Sequence, residues 1–165
     1  MDKLPNDFGR KKLHRLTISV HGLKKCRDVL NELSKLDEGT LLYESVLSFA
    51  VILYARPYLC NEKKEKSKSA PSVDKDEIVN DLNGDQLSLH KKLIKLRNKA
   101  IAHAEWGTHP TRIDKDGIIT TKPFSITQEM PKERIAEFAS LIETIMPLYE
   151  VQRASWWSYV QMNEI

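Results

Sequence analysis

Residues 97 to 106, RNKAIAHAEW, place an arginine, an asparagine and a histidine within seven positions at the end of a run of leucines and lysines. An imidazole transfers protons near neutral pH, and a guanidinium binds phosphate through paired hydrogen bonds. On a helix, Lys95, Lys99 and His103 recur every four residues and form one basic line. This pattern suits the chemistry of phosphate esters, in which cations hold the backbone and the histidine moves a proton.

Helix geometry separates the arginine from the histidine. Six residues along an α-helix place the side chains of Arg97 and His103 about 120° apart around the axis and about 9 Å apart along it. The ordinary interpretation also stays open. An arginine on a helix is usually a surface residue with its stem on apolar neighbours, and a histidine near a helix end is often half-buried and stabilised by the helix dipole.

The stretch LRNKAIAHAE resembles the signature of HEPN domains, in which an arginine, often followed by a polar residue such as asparagine, precedes a histidine by four to six residues. Here five residues, 98 to 102, intervene. The longer stretch LHKKLIKLRNKAIAHAEW, residues 89 to 106, is similar to the motif helix of abortive-infection and toxin-type members. Elsewhere the resemblance amounts to a compatible helical bundle.

HEPN proteins are helical bundles that commonly dimerise, so that two arginine–histidine motifs meet at a cleft, and many are ribonucleases that need no metal or other cofactor. The resemblance therefore implies a metal-independent endoribonuclease, in a bacterial toxin or anti-phage defence setting, that uses the ribose 2′-hydroxyl as nucleophile. Arg97 would bind the scissile phosphate, and His103 would act as general acid or base. Asn98 would orient the site through hydrogen bonds.

The same resemblance suggests the partners. Lys95 and Lys99 are expected to contact RNA, and His90 is a further candidate contact, with an ordinary place on the helix face as the alternative. RNA, a second copy of the chain and an antitoxin protein are the expected partners. Toxin-type members that pair with a nucleotidyltransferase often have a tyrosine two positions after the histidine. Glu105 occupies that position here, which departs from that subclass.

Two other functions stay open. A non-catalytic HEPN-like module that binds RNA or a protein partner fits the modest net charge of +3 and the aromatic-rich C-terminal segment, which contains Trp156, Trp157 and Tyr159. A purely structural bundle would need no special role for Arg97 or His103. For the binding module, salt dependence distinguishes the two kinds of partner, because nucleic-acid binding weakens steeply as salt rises and apolar protein binding does not.

Other kinds of chemistry find little support in the sequence. His103, Glu105 and His109 are a weak metal site, because residues two apart on a helix point about 200° away from each other. Cys26 and Cys60 lack the paired spacing of a structural zinc site. Glycine-rich phosphate loops and serine or cysteine nucleophile motifs are absent from the sequence, so we expect no cofactor.

The length of 165 residues and 41% hydrophobic content predict a single domain over residues 1–165. Residues 61–76 are almost entirely charged or polar, which predicts a mobile loop inside that domain. The longest apolar run, residues 41–55, is short for a membrane span and contains Glu44. No secretion signal is evident, so we expect a cytoplasmic protein without membrane contact.

Hydrophobic periodicity predicts an all-α fold, a bundle of four to five helices with a small β-hairpin around Asp116-Gly117 before the last long helix. The helix over residues 40–56 is apolar nearly all round, which predicts a central position in the bundle. The expected helix starts and ends depend on capping residues, prolines and turns. These are starts at Asp7, Thr40, Asp85 and Pro131, ends near Gly39, Pro57 and Gly107, a turn at Asn83-Gly84 and a kink or interruption at Pro147.

Overall fold

The protein is all-α, as the sequence predicts. The computed structural model describes residues 7–59, 75–101, 111–113, 115–116, 118–121 and 124–163. Three shorter helical segments, Arg56–Tyr58 and Lys132–Arg134 (both 3₁₀) and Leu96–Ile101 (π), accompany the α-helices. The α-helices are α1 (Phe8–Leu33), α2 (Leu41–Ala55), α3 (Lys75–Asn80), α4 (Gly84–Lys95), α5 (Ile126–Glu129) and α6 (Ile135–Asn163).

Four helices form the bundle. The helix α1 packs against α6 and α2, and α4 packs against both α2 and α6. The helices α1 and α6 run antiparallel. The ring of Phe8, at the start of α1, contacts the ring of Trp156. Lys24, later in α1, pairs at 2.9 Å with Glu150, which comes earlier in α6. The buried hydrophobic residues of the described ranges form one cluster, whose largest members are Tyr43, Tyr54, Tyr149 and Phe138. Burial of this cluster is the main force that holds the helices together.

The contact between α1 and α2 includes Gly22. The helix continues unbroken through this residue, where a Cβ atom would lie 3.9 Å from the carbonyl oxygen of Leu53, an ordinary van der Waals distance, so the contact does not require a glycine. One turn later, the Cys26 thiol donates a hydrogen bond to the carbonyl oxygen of Ala50 at 3.2 Å. Burial raises the pKa of Cys26 to about 12, so this thiol stays protonated and serves packing rather than chemistry.

The ends of α2 follow its local sequence. The Thr40 hydroxyl accepts a hydrogen bond from the Tyr43 amide at 3.2 Å, which confirms the predicted cap. The α-helix ends at Ala55, next to the 3₁₀ turn that contains Pro57. The predicted central position is only partly right, because one face of α2, including Leu41 and Leu42, is exposed.

The start of α4 differs from the prediction. Asn83, not Asp85, caps the helix, and Gly84 is its first residue, so the predicted turn at Asn83-Gly84 is wrong. The Asn83 side chain accepts from the Gln86 amide at 2.9 Å, and the Gln86 side chain accepts from the Asn83 amide at 3.2 Å. This reciprocal pair satisfies two amides that a helix start otherwise leaves without partners.

The last helix is longer and less interrupted than expected. Pro131 precedes the 3₁₀ turn Lys132–Arg134, and α6 itself begins at Ile135. The helix continues through Pro147, which lies on its exposed side. The helix is therefore not interrupted at Pro147, and a kink there stays a prediction.

The segment in which we predicted a hairpin contains two three-residue strands, β1 (Thr111–Ile113) and β2 (Ile119–Thr121). They pair antiparallel, with Thr111 opposite Thr121. Three residues on each side form no sheet layer of their own, so the architecture remains helical.

Two further predictions concern the rest of the chain. Residues 61–74 of the predicted loop lie outside the described residues, whereas residues 75 and 76 belong to α3. The predicted helix end at Gly107 also lies outside them. Within the described ranges, each helix is too short or too polar to traverse a bilayer.

Candidate functional site

The first two motif residues lie in the π-helical segment Leu96–Ile101, which continues directly from α4. In a π-helix each amide bonds to the carbonyl five residues earlier, and such segments are rare in proteins and frequent at functional sites. The separation of about 120° between Arg97 and His103 assumed an α-helix, so that figure does not hold here. His103 itself lies outside the described residues, and its proximity to Arg97 stays a prediction.

Arg97 is half-buried and only partly bonded. Its Nη1 donates a hydrogen bond to Oδ1 of Asn98 at 3.1 Å. Its Nε atom is buried and has no hydrogen-bond partner within the part of the chain that the structure describes. A buried donor without a partner costs about 1–3 kcal/mol, more for a charged group, so this guanidinium is poorly satisfied as a purely structural residue.

Asn98 is placed to orient the guanidinium. Its side-chain oxygen accepts a hydrogen bond from Arg97. Leu96, two positions before Asn98, is buried in the core and anchors the start of the π segment. The contact agrees with the positioning role that the motif implies for Asn98. An anchored fork of N–H donors is the arrangement that binds a phosphate in two places.

The predicted basic line of Lys95, Lys99 and His103 stays a prediction. Lys95 is exposed at the last position of α4, and Lys99 lies within the π segment, with its side chain outside the described part. The neighbouring Lys92 is ion-paired with Glu129 at 3.1 Å.

His90 belongs to the core, which corrects its proposed role as an RNA contact. Only 8% of its surface is exposed. Its Nδ1 lies 2.8 Å from the Tyr54 hydroxyl oxygen, and its ring meets those of Tyr54 and Tyr58 edge-on, with centroid distances of 5.9 and 4.6 Å. The position faces α2 rather than solvent, so direct RNA contact by His90 does not fit this arrangement.

The surroundings of His90 keep it uncharged. Burial, with a smaller contribution from Lys91, lowers the pKa of His90 below its usual 6.5. Burial also raises the pKa of Tyr54 and raises that of Tyr58 to about 12. Near neutral pH the pair is therefore a phenol and a neutral imidazole, joined by one hydrogen bond. This cluster fixes α4 against α2 six residues before the π segment begins.

The cluster around His90 contains three tyrosines that were not predicted from the sequence as part of a polar cluster: Tyr54, Tyr58 and Tyr149. Tyr149 packs edge-on against Tyr58, with ring centroids 6.2 Å apart. The three tyrosines lie at core positions of the apolar pattern, so their rings signal burial, but nothing in the sequence shows that a hydroxyl would meet His90.

A metal site and a cavity are two other kinds of candidate site. The described residues contain no group of three or more histidine, cysteine, aspartate or glutamate side chains placed to hold a metal ion, and the weak set His103, Glu105 and His109 lies outside them. A cavity of about 620 Å³ lies between the start of α4 and the start of α6. Its lining includes Asp85 and Arg134, and it lies about 18 Å along the helix from the motif, so it is a separate feature.

Comparison with protein-family models, with curated proteins and with solved structures finds no match.

Proposed function

We propose that this chain is a metal-independent endoribonuclease of the HEPN type. The observation that carries the proposal is the half-buried guanidinium of Arg97, which Asn98 orients and whose Nε has no hydrogen-bond partner among the described residues. Such a donor gains most of its stabilisation when an anion arrives. The π-helical backbone at this position supports the same assignment.

The proposed reaction is a transesterification within the RNA strand. The ribose 2′-oxygen attacks the adjacent phosphorus, the bond from phosphorus to the 5′-oxygen breaks, and a 2′,3′-cyclic phosphate and a 5′-hydroxyl result. One proton leaves the 2′-hydroxyl and one reaches the departing 5′-oxygen. His103 carries out one or both of these transfers, and Arg97 neutralises the charge that develops on the phosphate.

Dimerisation would supply the second histidine. In a two-fold dimer with the motifs at the interface, one His103 acts as base and the partner copy acts as acid. We further propose that the protein acts in the bacterial cytoplasm, in toxin or anti-phage defence, under the control of an antitoxin protein.

The test measures cleavage of single-stranded RNA in the presence of a chelator. The parent protein should cut RNA without added metal, and His103→Ala should abolish cleavage while the far-ultraviolet circular dichroism spectrum stays unchanged. The substrate supplies a matched control: a strand with one ribonucleotide in a DNA background should be cut only after that ribonucleotide, and it should end in a cyclic phosphate.

Two results would contradict the proposal. Cleavage by His103→Ala at the parental rate would mean that another group moves the proton, and it would remove His103 from the mechanism. Cleavage of an all-deoxy strand would exclude the 2′-hydroxyl as nucleophile.

A second candidate, a non-catalytic module that binds RNA or a protein, is favoured by the exposed apolar side chains late in α6. Val151, Trp157 and Met162 are 69%, 57% and 78% exposed. If the parent protein binds RNA but leaves it intact, a steep loss of affinity with salt would identify a nucleic-acid module. Binding of a protein through this apolar surface would depend little on salt.

A further inference from the structure

The solvent-facing side of α2 is mainly apolar. Leu41 is 81% exposed, Leu42 60%, Phe49 41% and Ile52 38%. Large exposed apolar side chains that lie together on one helix face commonly mark an interaction site. We call the following exposed residues the outer face of α2: Leu41, Leu42, Ser45, Phe49, Ile52 and, directly after the helix, Arg56.

The spacing of the outer face is that of a helix that packs on another helix. Leu42, Ser45, Phe49, Ile52 and Arg56 alternate steps of three and four residues. This spacing keeps a seam of side chains aligned with a partner helix, as in coiled coils and helical bundles. The opposite side of α2 already packs into the core, so α2 has two packing faces, of which one is occupied.

Two cationic side chains lie at the edge of the outer face. The Lys25 Nζ atom lies over the Phe49 ring, 5.7 Å from its centroid, and Arg56 lies at the C-terminal end of the face. Glu44, the carboxylate on α2, faces elsewhere and accepts a hydrogen bond from the Ser125 hydroxyl at 2.8 Å. The outer face therefore combines an apolar centre with a cationic edge and has no carboxylate of its own.

We propose that the outer face of α2 binds an amphipathic helix of another protein, with apolar residues at three- and four-residue spacing and carboxylates on either side of them. The fifteen residues of α2 extend over about 22 Å, so the partner helix spans about four turns. Carboxylates beside its apolar stripe would meet Lys25 and Arg56, which provides orientation and selectivity.

A second copy of the chain fits this face less well. A two-fold contact centred on Phe49 would bring Lys25 of each copy to the middle of the interface, beside Phe49 of both copies. Like charges in this position are unfavourable, and the outer face offers no carboxylate to compensate them. The charge pattern thus favours an acidic partner over self-association.

The inference is independent of the proposed ribonuclease activity. The π segment and α5 contact other sides of α2, and the outer face contains none of the motif residues. A catalytically inactive protein would keep this docking site.

The test uses a fluorescent synthetic peptide of about fifteen residues, the length of α2, with leucines at three- and four-residue spacing and glutamates flanking them. A second peptide has lysines in place of the glutamates. Fluorescence anisotropy should show that the full-length protein binds the acidic peptide at least about tenfold more tightly than the basic one. Added salt should reduce this preference, because it screens the charges.

Leu42→Glu introduces a charge at an exposed position of the outer face and should weaken binding of the acidic peptide at least about tenfold. Ile118→Glu, at an apolar position next to β2 that is 58% exposed, is the matched control and should leave binding unchanged. Both variants should retain the circular dichroism spectrum of the parent.

Three outcomes would overturn the inference. Equal affinity for the two peptides would show that Lys25 and Arg56 do not select an acidic partner. Equal weakening by Leu42→Glu and Ile118→Glu would indicate non-specific apolar binding. A parent protein that is dimeric by light scattering and becomes monomeric with Leu42→Glu would show that a second copy covers the outer face.

Discussion

His90 and Arg97 lie two α-helical turns apart on one continuous helical stretch, yet their surroundings are opposite. His90 lies in regular α-helix, is nearly fully buried and has the Tyr54 hydroxyl 2.8 Å from its Nδ1. Arg97 lies in the π segment, is half-buried and uses one nitrogen for Asn98, while its Nε has no hydrogen-bond partner within the described ranges. The core therefore supplies a hydrogen-bond partner for His90, whereas the described residues leave the Arg97 Nε without one.

This difference separates a structural polar residue from a candidate functional one. A polar group that finds its partner within the core contributes to a unique packing arrangement, and its role ends there. A buried charged group without enough hydrogen bonds lowers the stability of the fold. A role in binding a ligand is a reason for a protein to keep such a group. The local change from α- to π-helix at Leu96 coincides with the second case, which is where functional residues tend to lie.

The largest expected effect is on catalysis. Arg97→Ala should lower kcat/KM for RNA cleavage at least about 100-fold, because the charge that develops on the phosphate loses its main donor. The melting temperature should change little, since the residue is poorly satisfied in the fold. Lys95→Ala, at an exposed position nearby, should reduce cleavage far less. A parental cleavage rate together with a lower melting temperature would make Arg97 structural, like His90.

The next largest effect is on stability. Tyr54→Phe leaves the buried His90 Nδ1 without its hydrogen-bond partner and should lower the free energy of unfolding by about 1–3 kcal/mol in urea titrations. Tyr43→Phe is the matched control, because the Tyr43 hydroxyl is buried and has no hydrogen-bond partner among the described residues. Its removal should be neutral or stabilising. Equal losses in the two variants would show that the Tyr54–His90 contact adds nothing.

Asn98→Ala should have a smaller effect on cleavage, about tenfold, because it removes the acceptor that orients Arg97 but leaves the guanidinium in place. A double-mutant cycle distinguishes positioning from direct contact with the substrate. In the Arg97→Ala background, Asn98→Ala should cause no further loss. An additional tenfold loss would mean that Asn98 acts on the RNA independently.

Local signals allowed much of the helical fold to be predicted. The hydroxyl of Thr40 and the ring of Pro57 act on their immediate neighbours, so the bounds of α2 could be predicted from sequence. The cap of α4 was also accessible, because Gln86 follows Asn83 by the three residues of a capping box. Asp85 was chosen instead, since aspartate is an equally good cap by residue type.

The features that matter for function depend on tertiary packing and could not be predicted in this way. The burial of His90 requires that Tyr54, 36 residues earlier, lies opposite it. The π segment has no periodic signature, because the apolar spacing of LIKLRNKAI fits an ordinary α-helix equally well. The apolar pattern of α2 predicted burial all round, but the positions that the bundle covers are set by the number of helices around it.

The smallest expected effect is the pH dependence of stability, which follows from the lowered pKa of His90. The unfolded chain binds a proton at this residue near pH 6.5, whereas the folded protein does so only at lower pH. Below about pH 6.5 the unfolded state therefore holds more protons, and the free energy of unfolding decreases until the pH reaches the folded-state pKa. Tyr54 and Tyr58 stay protonated throughout, because burial raises the pKa of each.

Urea titrations between about pH 7.5 and pH 5.5 measure this decrease, and His90→Gln should reduce the slope even if it also lowers stability at every pH. Tyr43→Phe is the control and should leave the slope unchanged, because the raised pKa of Tyr43 keeps this phenol protonated over the whole range. Equal slopes for the parent and His90→Gln would mean that burial does not suppress protonation of His90. His90 and Arg97 would then differ only in their hydrogen bonds, since the fold would tolerate a charge at each of the two residues.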